Sequence, residues 1–141
     1  MDKNFKNQEK RISMIFLDKT DDLSKRMETI KIYKEYLDQN LYYPIELTGI
    51  EDFNWEEFYI FGPGSEKEYE ELQKSNPSYT DTFNLVKIDD SYDEYYGLIA
   101  IVIRTTDKKR FQVPLCDLKS TNKKSKNYQL VDDYSVWSVN Y

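Results

Sequence analysis

In GLIAIVIR, residues 97–104, six apolar residues from Leu98 to Ile103 follow one another without a polar break. A run of this length suits a strand, whereas a buried helix would need to extend further. Ile99, Ile101, Val102 and Ile103 are β-branched, and an unbroken apolar run belongs to a strand covered on both faces. The run is read as the central strand. FNLVKI (83–88) precedes it as a second strand. In RFQVPL (110–115), Phe111, Val113 and Leu115 alternate with Arg110 and Gln112 in the pattern of a half-buried strand. Pro114 offers no N–H to a ladder and so assigns this strand to an edge or an end. LCDLK (115–119) then suits one tight turn that packs Leu115 and Leu118.

Toward the N-terminus, Leu23, Met27, Ile30, Tyr33, Tyr36 and Leu37 recur at intervals of three and four. This periodicity predicts an amphipathic helix over 18–40, capped by Asp18 or Thr20, with Pro44 beyond its end. LYYPIELTG (41–49) reads as a strand with proline at its entry or on a sheet edge, and WEEFYIFG (55–62) as another strand, closed by the turn Gly62-Pro63-Gly64. Ser65 followed by Glu68 is a capping box that opens a short helix ending before Pro77. STNKKSKN (120–127) reads as a mobile polar linker, and YQLVDDYSVWSVNY (128–141) as a closing segment anchored by Val131, Trp137, Val139 and Tyr141. Short strands between turns, preceded by a helix, predict an α+β, mainly β, fold. It is expected to be a small bent antiparallel sheet or barrel whose open side the helix covers. Residues 1–40 form a helical arm in this reading, and 41–141 the β domain.

Composition narrows the chemistry. With 141 residues, 13 Tyr, 7 Phe and 2 Trp, the chain can bury a core without staples. Its single cysteine, Cys116, excludes an internal disulfide and is read as a packing residue. The only apolar run near the start is Met14 to Leu17, too short for a signal peptide, and nothing reaches the length needed to span a bilayer; the expected location is cytoplasmic. There is no histidine, so Ser-His-Asp and Cys-His nucleophilic machinery is excluded, and a structural zinc site would lack its usual ligands. Hard cations held by oxygen stay open. A cleft for paired-carboxylate catalysis is difficult to enclose in so short a chain, and the protein is expected not to be an enzyme.

Charge is segregated along the chain. Residues 46–96 hold 14 acidic against three basic side chains, and residues 97–131 hold eight basic against two acidic. Such a distribution favours cations or basic partners at the acidic end and argues against general nucleic-acid binding. The densest acidic stretch is DDSYDEYYG (89–97), between two predicted strands. It is not an EF-hand: counting from Asp89, the sixth position, which requires glycine, is Glu94, and the twelfth, which requires glutamate, is Ala100. A hairpin would nevertheless gather Asp89, Asp90, Asp93 and Glu94. At about 5 Å each like-charged pair costs roughly 0.8 kcal/mol in water and about 3 at an effective dielectric of 20. Either a divalent cation or ordinary hydration relieves this, so the stretch is a cation site or a solvated turn. Further oxygens for calcium would come from elsewhere, such as Asp132 and Asp133, or from water.

RFQVPLCDLK followed by YQLVDDYSVW carries a family likeness. The order of Tyr43-Pro44-Ile45, an apolar strand, the turn with Val113, Pro114, Leu115 and Leu118, and the terminal Asp133, Tyr134 and Trp137 resembles the CcbP-like calcium-binding family of small bacterial proteins, over about residues 41–141. The resemblance implies a bent SH3-like or Tudor-like β-barrel with helical decoration, in which residues 55–79 look like an insertion. It also implies Ca2+ held by acidic side chains without EF-hands, and on this chain Asp89, Asp90, Asp93 and Glu94 are the residues assigned as ligands. The expected function is a calcium buffer or sensor. Two rivals are an acidic interaction module, such as an inhibitor or immunity protein for a basic partner, and a Tudor-like reader that uses the aromatics as a cage.

Overall fold

A computed structural model describes residues 3–141. Helices α1 (Lys3–Ile15) and α2 (Met27–Asn40) lead into strand β1 (Glu46–Gly49). A 3-10 turn (Asn54–Glu56) runs into the short helix α3 (Glu57–Ile60), and α4 (Glu66–Ser75) follows. Strands β2 (Thr82–Ile88), β3 (Ile99–Arg104) and β4 (Arg110–Pro114) come next, then a second 3-10 turn (Leu115–Asp117), β5 (Leu118–Ser120) and helix α5 (Lys126–Asn140). The five strands form one antiparallel sheet in the order β4-β3-β2-β1-β5. The sheet is not closed. The α+β class therefore takes its open-sheet form, with β4 and β5 as the edges.

The apolar run at 98–103 lies inside the sheet, as expected, between β2 and β4. The middle strand, however, is β2, because β1 and β5 extend the sheet on the far side. Ala100 and Val102 are completely buried, while Ile99, Ile101 and Ile103 on the other face are half-buried. Leu47, Phe83, Leu85 and Val113 share one core with Ile12, Phe16, Ile30, Leu37, Leu130 and Trp137 from the helices. At its centre Tyr33 packs edge-on against Tyr134 at 5.1 Å and tilted against Trp137 at 5.0 Å between ring centroids. Aromatic pairs of this kind add about 0.5–1.5 kcal/mol beyond the area they bury. Trp137 Nε1 also donates to the Leu23 carbonyl at 2.8 Å, which ties the segment before α2 to α5.

Several local expectations are corrected. The second helix begins at Met27, not at 18: Thr20 Oγ1 accepts from the Asp22 amide, Asp22 Oδ1 accepts from the Ser24 amide, and Thr29 Oγ1 accepts from the Arg26 amide. Such side-chain-to-backbone bonds hold 20–26 in turns that compete with helix. The stretch 55–62 is helical rather than extended, which lets Trp55 meet Tyr59 edge-on and lets Glu56 reach back to the Phe53 amide. Ser65 caps α4, its Oγ accepting from the Glu68 amide at 3.0 Å, but the reciprocal half of the expected capping box is missing because the Glu68 carboxylate accepts from the Tyr59 hydroxyl instead. The presumed linker 120–127 contributes Ser120 to β5 and Ser125, as N-cap, to α5. Of the proposed terminal anchors, Val131 and Trp137 are buried, but Val139 is 76% exposed and Tyr141 38% exposed, because a helix sends them away from the core. Leu115 and Leu118 are fully buried in the turn predicted for them, and Pro114 ends the edge strand β4.

Candidate functional site

The connection between β2 and β3 carries the four acids singled out in the sequence. The Asp89 amide donates to the Ile99 carbonyl at 2.8 Å, which extends the ladder, and the Gly97 amide donates to the Asp93 carbonyl at 2.8 Å, which closes the tip. Gly97 has φ +69°, and a Cβ there would stand 2.5 Å from the Tyr134 hydroxyl. Only glycine accommodates both conditions. The same hydroxyl accepts from the Leu98 amide at 2.8 Å, so helix α5 fixes the exit of the turn.

The acids then part company. Asp89 accepts from the Ser91 amide at 3.0 Å and from Gln112 Nε2 at 2.8 Å, and Asp93 accepts from the Tyr96 amide at 2.6 Å. These two carboxylates, with Ser91, Tyr92, Tyr96 and Gln112, line one open groove of about 450 Å3. Asp90 turns to the lysines, 3.2 Å from Lys87 and 3.4 Å from Lys34, and their hydrogen bonds and charges hold its carboxyl below the usual range. Glu94 is exposed and does not line the groove. Among the described residues no three acidic or thiol side chains stand close enough to form a ready-made metal cluster. The groove nevertheless offers two carboxylates and the nearby Ser91 hydroxyl, the oxygen chemistry a hard cation requires, while Gln112 turns its amide N–H toward Asp89.

Asp132 and Asp133 do not join this turn. Asp133 receives Arg11 Nε at 2.8 Å and Arg11 Nη2 at 2.9 Å, and Gln8 Nε2 donates to both aspartates at 3.0 Å. This pairing docks α1 on α5. Cys116 sits half-buried, and its thiol is pushed up chiefly by burial, in keeping with a packing role.

A second acidic groove, of about 390 Å3, went unseen in the sequence. Glu51, Asp52 and Glu57 approach it from the loop after β1, Asp117 from the second 3-10 turn, and Asp132 and Ser135 from α5. Only the fold unites them: Gly49 pairs with Leu118, and the Ile50 amide donates to the Asp117 carbonyl at 2.9 Å. Burial, followed by the charge of Glu51, raises the Asp117 carboxyl above its ordinary value.

An open five-stranded antiparallel sheet flanked by helices, with carboxylate-lined grooves and no imidazole, defines a small α+β protein suited to a hard divalent cation. Residues 65–138 match the model of the CcbP family, described as calcium binding, and the chain belongs to that calcium-binding family; its ion is Ca2+. The solved crystal structure of CcbP from Anabaena is similar in fold, with a TM-score of 0.59 at 14% identity over 94% of this chain and 89% of that one. No curated protein matches. The motif residues Tyr134 and Trp137 lie within the matched segment, and both are fully buried and structural.

Proposed function

We propose that this chain acts in the cytoplasm as a calcium buffer and that the ion binds at the β2–β3 turn. Asp89 and Asp93 supply the first two carboxylates, while Asp90 and Glu94 are recruited from the flanks. The observation that carries this reading is the shared groove, which two carboxylates and a serine line together. Calcium needs six to eight oxygens, so backbone carbonyls and water complete the shell. Asp90 has to leave Lys87 and Lys34 to contribute, which makes the affinity modest and sensitive to salt. Both ends of the turn are pinned by backbone hydrogen bonds, and Tyr134 holds its exit. Binding therefore changes side chains more than fold, which suits a buffer better than a sensor.

The test is terbium luminescence. Tyr92 and Tyr96 line the groove and should sensitise a bound lanthanide, with millimolar calcium competing the signal away. Asp89→Asn with Asp93→Asn should abolish that signal. An unchanged, saturable signal in the double variant would remove the turn from consideration.

A further inference from the structure

We propose that the exposed aromatic face built by Phe58, Tyr59 and Phe61 between α3 and α4 docks a Lys/Arg-rich amphipathic segment of another protein. The inference does not rest on the calcium reading, because the face uses no residue of the β2–β3 turn and precedes the segment 65–138 that matches the family model. Phe58 is 53% exposed and Phe61 78% exposed, and Pro63 beside them is exposed as well. Three residues apart on one helical turn, the two phenylalanines lie on the same side.

Neither α3 nor α4 buries a residue in the core, and their rings pack on one another instead. Tyr59 stacks on Tyr69 at 5.6 Å between centroids and meets Phe58 edge-on at 5.0 Å and Trp55 edge-on at 6.2 Å. Trp55 donates to the Pro77 carbonyl and Tyr69 to the buried Glu56, so the base of the stack is fixed. Gly64 folds back so closely that a Cβ there would overlap the Tyr59 and Phe58 rings. A held aromatic surface facing solvent suits an interface hot spot, since little ordering remains to be done on binding.

Charge identifies the occupant. Residues 57–71 hold five exposed acids, Glu57, Glu66, Glu68, Glu70 and Glu71, against the single basic residue Lys67. Among the described residues, only Glu71 of these five has a basic side chain within ion-pair distance, Lys74. Glu68 touches the face directly by accepting from the Tyr59 hydroxyl at 3.0 Å. This rim repels nucleic acid and anionic membranes and attracts cations. A guanidinium stacks on a phenyl or phenol face and pairs with a carboxylate at the same time, so arginine meets both halves of the surface, and the apolar side of the segment covers Phe58 and Phe61.

A fluorescently labelled peptide with Arg and Leu at helical spacing, titrated with the full chain in chelator and followed by anisotropy, tests the face. Saturable binding is expected, weakened about tenfold or more by Phe58→Ser/Phe61→Ser and by Glu57→Lys/Glu66→Lys. The four side chains are exposed, so the melting temperatures should stay near that of the parent, and the second variant leaves every ring in place. Asp89→Asn/Asp93→Asn should keep the peptide affinity within about twofold, which reads docking separately from calcium binding. Asp21→Lys/Glu35→Lys makes the same change of charge elsewhere on the surface, and a loss equal to that of Glu57→Lys/Glu66→Lys would reveal diffuse attraction and overturn the proposal. So would the absence of saturable binding to the parent, or unchanged affinity in Phe58→Ser/Phe61→Ser. A dimer of the chain alone in sedimentation, dissolved by Phe58→Ser/Phe61→Ser, would overturn it too, since a second copy would then cover the face.

Discussion

Replacement of Glu56 by alanine should be the most damaging single polar change in the chain. Its carboxylate is fully buried and accepts four hydrogen bonds: from the Phe53 amide at 3.0 Å, the Tyr69 hydroxyl at 2.9 Å, the Ser78 hydroxyl at 2.5 Å and the Tyr79 amide at 3.0 Å. These donors join the loop after β1, helix α4 and the entry to β2. Alanine strands the Phe53 and Tyr79 amides, whereas Ser78 has Thr80 at 3.1 Å as a second partner and the half-buried Tyr69 can turn to water. Each stranded buried donor costs about 1–3 kcal/mol, so the loss should be about 3–5 kcal/mol. For a chain of this size that corresponds to a drop in Tm of roughly 10–20 °C. Glutamine keeps the shape but points an amide donor at other donors, and should lose roughly half as much. The assay is urea unfolding followed by tryptophan fluorescence: Trp55 is tied to the Pro77 carbonyl within the affected region, while Trp137 lies in the core. A loss below about 1 kcal/mol for Glu56→Ala would show that the carboxylate does not organise this segment.

Gly97→Ala should destabilise by about 2 kcal/mol or more, since it sets a strained φ beside a contact of 2.5 Å with the Tyr134 hydroxyl; a Tm within a degree of the parent would contradict the geometry of the turn. Tyr134→Phe should cost about 1–3 kcal/mol through the stranded Leu98 amide, visible as accelerated hydrogen exchange at that residue. Arg104 holds the Asp107 carboxyl down at about 2, so its contribution to stability is complete above the unfolded value near 4 and is lost as pH falls through about 2. Asp107→Asn should therefore flatten the acid limb of a Tm-against-pH curve over that window, and an unaltered limb would refute the pairing. Lys87→Gln removes one of the two lysines held against Asp90 and should tighten calcium binding at the turn about threefold at low salt, with the gain shrinking as salt rises.

Much of the fold was legible because local patterns and tertiary packing agree where the core is deepest. The run at 98–103, the FNLVKI strand, the alternating RFQVP strand and the Ser65 cap are all present, since in each the burying face and the backbone preference point the same way. Residues 55–62 read as extended because Trp, Phe, Tyr and Ile have strand propensity, yet the demand of the buried Glu56 for amide and hydroxyl donors selects a helical turn. The tail failed for a related reason. Its aromatic and β-branched residues gave no clear period, and only the docking of Tyr134 and Trp137 against Tyr33 shows which side of α5 faces inward.

The site was harder to read, because linear charge is not surface charge. Residues 46–96 are strongly acidic in sequence, but α2 brings Lys34 over their densest acidic turn and the segment before it brings Lys25, so the field there is partly cancelled. Conversely, residues 97–131 are basic in sequence, yet their Asp117 turns away from the lysines into a groove that Glu51, Asp52 and Glu57 share. Asp132 completes it from just beyond that segment. A cation responds to the carboxylates within a few ångströms of it, since at physiological salt charges more than about 8 Å apart are largely screened. The pairing of Gly49 with Leu118 therefore says more about which carboxylates stand near one another than the density of aspartates along the chain, and a groove that no local motif announces can gather as many acids as a stretch as conspicuous as DDSYDEYYG.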